Sequence, residues 1–115
     1  MRALVVVLMS VGAASAVPAA PDAFHRAAAD ARSVLDQVER AEAAYRVRHG
    51  RYTASLRALG VERPRGVDLR IAAEGPAGYS AVAITSTEEC AVFHGRARPP
   101  RHWVRTPGRI ACRGR

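Results

Sequence analysis

The chain of 115 residues contains no lysine: all eighteen of its basic residues are arginines, set against ten carboxylates. That deficit is what GC-rich coding produces and carries no chemistry by itself. A second absence does carry some. From Cys90 to the C-terminal end there are seven arginines and not one Asp or Glu. Positive charge there cannot be cancelled within the segment. It would attract phosphates, acidic polysaccharide or an anionic membrane surface, or else serve only as solvated surface.

Catalytic signatures are missing as well. The four histidines, His25, His49, His94 and His102, show no ligand spacing, and neither cysteine has a partner two to four residues away, so no metal site is expected. There is no G-x-S-x-G turn for a nucleophilic serine and no glycine loop to cradle a phosphate. Glu88 and Glu89 are adjacent and read as turn carboxylates, whereas acid–base work needs two groups facing one site. Cys90 and His94, four apart on a strand, would share a face, but a disulfide would remove the thiol. A non-enzymatic protein without cofactor or metal is expected.

Long apolar runs are absent beyond the first residues. Arg2 precedes the apolar stretch ALVVVLMSV at residues 3–11, and Gly12 leads into small residues ending Ala14-Ser15-Ala16, the pattern a signal peptidase cuts. The run over residues 3–17 is shorter than the roughly 20 residues a bilayer span needs. No cysteine follows it to carry a lipid. We therefore expect a signal peptide at residues 1–16, with Val17-Pro18-Ala19 as a second possible cut. The mature chain would have no transmembrane anchor and would be exported to the periplasm or the medium. In that oxidising compartment Cys90 and Cys112 are expected to form a disulfide.

Residues 17–21 read as an Ala/Pro linker and residues 22–115 as one domain. Asp22 is the expected helix cap. From it runs a three-four spacing, Phe24, Ala27, Ala31, Val34, Val38, Ala41, Tyr45, up to the stop at Gly50. A coiled coil would show the same spacing, but alanine fills half the stripe, so packing on a sheet of the same chain is favoured. Thr53 is expected to cap a short helix at residues 54–59. The period then changes to two. Residues 67–73, 79–85 and 90–94 read as antiparallel strands, with residues 110–112 as a possible edge strand. The fold class is α+β: one long N-terminal amphipathic helix on a sheet of three to four strands. Its expected core is Phe24, Val34, Leu35, Val38, Tyr45, Leu69, Ile71, Val82 and Ile84.

The stretch AEAAYRVRHGRYTASLRAL at residues 41–59, with Tyr45, Gly50, Tyr52, Leu56 and Leu59, resembles the helix-end segment of type IV pilins and type II secretion pseudopilins. The Gly78-Tyr79-Ser80-Ala81 strand and the Cys90, Cys112 pair resemble the sheet and the disulfide-closed C-terminal loop of those proteins. The likeness covers residues 22–112. It implies the globular pilin fold and a binding or structural role. A pilin would carry a prepilin-peptidase site and an apolar helix half, and a signal-peptide pattern stands in their place. The resemblance therefore does not extend to filament assembly. What remains as a candidate binding surface is the C-terminal loop, with Arg96, Arg98, Arg101, Arg105 and Arg109 around Trp103. Arginine forks hold phosphates, and the Trp either stacks on a base or anchors the loop. The expected partner is a protein or an anionic polymer such as DNA or acidic polysaccharide.

Overall fold

A computed structural model describes residues 30–115. The expected signal peptide, linker and helix start, including Phe24 and His25, lie outside the described residues. Helix α1 (Ala31–His49) opens at Asp30, whose extended backbone and carboxylate make the cap, accepting the Ser33 N–H at 2.7 Å. The sequence places this cap at Asp22. Asp30 takes the role for this helix because its carboxylate satisfies a donor that a helix start leaves orphaned. At the other end Arg46, Arg48 and His49 face the negative end of the helix dipole. Gly50 then closes the helix at φ 74°, donating its N–H to the Arg46 carbonyl.

The corner that follows is built by the same residues that carry the resemblance. The Tyr52 ring lies 5.0 Å from Tyr79 and beneath the Arg46 guanidinium, and its N–H reaches the Gly75 carbonyl. Helix α2 (Leu56–Leu59) is capped by Ser55, which accepts the Ala58 N–H. Thr53, the cap expected from sequence, stands two residues too early, and its hydroxyl accepts the Ser55 N–H instead.

Four strands follow, β1 (Asp68–Ala73), β2 (Gly78–Ile84), β3 (Glu88–Gly95) and β4 (Ala111–Gly114), paired antiparallel in that order. Cross-strand rows follow from the register. Leu69, Ala83, Cys90 and Cys112 form one row, and Ile71, Ala81 and Val92 the next, both facing α1. Against them pack Ala31, Val34, Leu35 and Val38. The intervening residues of the strands face the other way. Val82, Ala91 and Phe93 are buried there by Ala97 and Val104 of the segment between β3 and β4.

Two expected core residues change sides accordingly. Val82 is buried and Ile84 half-buried, but both belong to this second cluster, away from the helix. Period two shows that they share a face and cannot show which face the helix covers. Tyr45 is only half-buried, its ring 4.1 Å from that of His49. Burial on both faces explains why β2 and β3 read as near-continuous apolar runs. None of the described helices is long and apolar enough to cross a membrane.

Candidate functional site

The arginine segment leaves the sheet at Gly95, where φ is 66° and a side chain would collide with the Ala77 carbonyl. It is then drawn over the second face of the sheet. Arg96 donates its N–H to the Ala77 carbonyl, Ala97 and Val104 are buried, and Gly108 donates its N–H to the Phe93 carbonyl at 2.7 Å. The chain returns through Ile110, which is buried in the helix-side cluster, into β4. There Cys112 lies directly opposite Cys90, and the two are joined as the expected disulfide. A segment with two consecutive prolines is thereby held at both ends and along its length.

The structure divides the candidate residues into two groups. Arg96, Arg98, Arg105 and Arg109 are exposed, and none has a carboxylate within ion-pair distance among the described residues. His102 is exposed beside them. Arg101 and Trp103 face inward. The Arg101 Nε donates to Oε2 of Glu89 at 2.5 Å, and Glu89 is only 8% exposed, so this pair fastens the loop to β3. Trp103 is half-buried against the second cluster with its indole N–H enclosed. The Arg113 guanidinium lies 4.9 Å from the centre of its ring.

Arg113 and Arg70 join this face without being legible as candidates. Arg113 stands in the same cross-strand row as Asp68, Ile84 and Glu89. Arg70 donates to Asp68 at 2.8 Å, and this bond holds the Asp68 carboxyl below the usual carboxylate range. Only strand register reveals the placement of either one.

On the other side, the helix and sheet enclose a polar cluster. The Nε2 of His94 lies 2.6 Å from Oε2 of Glu39, and the His94 ring stacks on Tyr79 at 4.9 Å. Glu42 is fully buried, with Oε1 accepting the Thr53 N–H at 2.9 Å. Burial pushes its carboxyl above the ordinary value, opposed by the Thr53 amide and the charge of His94. Burial likewise raises the Tyr79 hydroxyl. These groups join α1 to the sheet, with Glu42 and Tyr79 buried and the His94–Glu39 pair partly exposed at the edge of the cluster.

Glu88, Cys90 and Cys112 bring possible ligand atoms close together. The two sulfurs are bonded to each other and Glu88 accepts the Ala31 N–H, so no thiolate is on offer. What the arrangement can do is present fixed positive charge on one face. No protein-family model matches the chain, and no curated protein or solved structure matches it either.

Proposed function

We propose that the protein is an exported, non-enzymatic, pilin-like binding or structural module, whose C-terminal loop meets its partner. The observation that supports this most is the contact between Tyr52 and Tyr79. It joins the two stretches that carry the pilin resemblance, the helix-end motif and the Gly78-Tyr79-Ser80-Ala81 strand. The helix-then-meander order and the disulfide around the C-terminal loop agree with it. Expression in a bacterial host, fractionation and N-terminal sequencing test the reading. The expected product begins at Val17 and is recovered oxidised outside the cytoplasm. A chain that keeps Met1 and its reduced thiols refutes export.

A second reading, binding of anionic polymers such as DNA, acidic polysaccharide or an anionic membrane surface, is favoured by a separate observation. Four loop arginines are exposed and, among the described residues, without a carboxylate partner, on a segment whose backbone is already immobilised. A preformed surface loses little entropy on binding. The two readings are compatible in one molecule.

A further inference from the structure

Resting on the anionic-polymer reading, we propose that the face opposite α1 binds double-stranded nucleic acid through its phosphates. On this proposal Arg96, Arg98, Arg105, Arg109 and Arg113 make the contacts, and Trp103 and Arg101 serve to build the surface. Among the described residues two carboxylates lie on this face, and each already has its arginine: Asp68 holds Arg70, and Glu89 holds Arg101. No acid remains beyond Glu89 in the sequence, so Arg96, Arg98, Arg105, Arg109 and Arg113 are surplus positive charge among the described residues of this face.

Ala97 and Val104 lay the loop across the sheet, and β4 brings Arg113 beside it in the row of Glu89. The surplus arginines are thus spread over a loop and a neighbouring strand. A dispersed set suits a ligand with many closely spaced charges better than it suits one small anion. Duplex nucleic acid has a phosphate charge every ~1.7 Å of its axis, and the counterions it releases strengthen binding. The guanidinium fork matches a phosphate with two parallel hydrogen bonds.

Single-strand sites place an exposed aromatic ring under an unpaired base. Here the only tryptophan of the chain is half-buried, with its N–H enclosed and the Arg113 guanidinium over the ring. Trp103 is therefore occupied in holding the loop, and recognition proceeds through the phosphate backbone without base stacking.

The test uses the oxidised protein from Val17 onward, a short DNA duplex, the matching single strand and heparin, with affinities measured across a salt series. The duplex is expected to bind most tightly of the three. Arg98→Gln/Arg105→Gln/Arg109→Gln changes side chains that are exposed and unpaired among the described residues, and should melt like the parent. It is expected to flatten the plot of log affinity against log salt by about 3, roughly one for each lost phosphate contact. Arg113→Gln should flatten it by about 1. Trp103 emission should respond no more to the single strand than to the duplex. Tighter binding of the single strand with quenching of Trp103, tighter binding of heparin than duplex, or an unchanged slope in the triple variant overturns this proposal alone. Absence of binding to all three at low salt overturns the anionic-polymer reading along with it.

Discussion

Glu42 sits on the inner face of α1, fully buried, with one carboxylate oxygen held by the Thr53 amide and the other without a partner among the described residues. Burial raises its folded-state pKa above the ordinary 4.5. As pH climbs through that ordinary value, the unfolded chain releases the proton first and the native state still holds it. The native state then binds more protons, so Glu42 makes stability fall as pH rises toward the raised value, and the loss persists above it. Glu42→Gln keeps an amide oxygen for Thr53 and cannot ionise. Thermal melts should therefore show little difference between the variant and the parent below the ordinary carboxylate range. Near neutral pH the variant should be the more stable. A variant that melts lower at neutral pH would mean that the charge, drawn toward His94, is net favourable where it sits.

At the scale of elements, β2 and β3 meet most closely at the Gly78–Gly95 pair. A Cβ on Gly78 would run into the His94 carbonyl and the backbone nitrogens of Ala97 and Arg96. These are backbone atoms and cannot swing aside. Gly78→Ala should cost about 1–3 kcal/mol, the usual penalty for overpacking with a backbone shift. Because the collision lies where the arginine loop departs, hydrogen exchange at the Arg96 and Gly108 amides should accelerate with it. Unchanged exchange at both would show that the loop is held independently of this corner.

Much of this layer was legible in the residues. The stop at Gly50 follows from a glycine after a periodic stretch, and the strands follow from the change to period two. The helix start and the sidedness of Val82 were not. Two aspartates eight residues apart both make good caps, and an alanine-rich stripe scarcely distinguishes them. Alternation sorts strand residues into two sets without saying which set the helix covers. The candidate site was half legible for the same reason. Its charge and its cysteine pair stand in the sequence, whereas Arg101 on Glu89 and Arg113 over Trp103 exist only once β3 and β4 are in register.

The described residues make a three-layer arrangement in which the helix covers one face of the sheet and a nearly irregular loop covers the other. An irregular layer contributes few backbone hydrogen bonds to its own stability, so its closure depends on the link at its ends. Cys90 and Cys112 are 22 residues apart in sequence and directly opposite across β3 and β4. Closing a loop of that length stabilises a fold by about 3 kcal/mol through the entropy removed from the unfolded chain. For a domain this small that corresponds to a melting temperature lower by at least about 10 °C when the link is lost. Cys90→Ala/Cys112→Ala should show that drop in a thermal melt, and the parent in reductant should approach it. The second cluster should loosen before the first, since Ala97 and Val104 reach it from the released loop while Val34, Leu35 and Val38 are delivered by α1. Trp103 reports on that order, because its emission should shift to the red before the helical circular dichroism signal is lost. Coincident transitions in the linked and unlinked proteins alike would show that the loop is integral to one cooperative core and that the disulfide is not what holds it there.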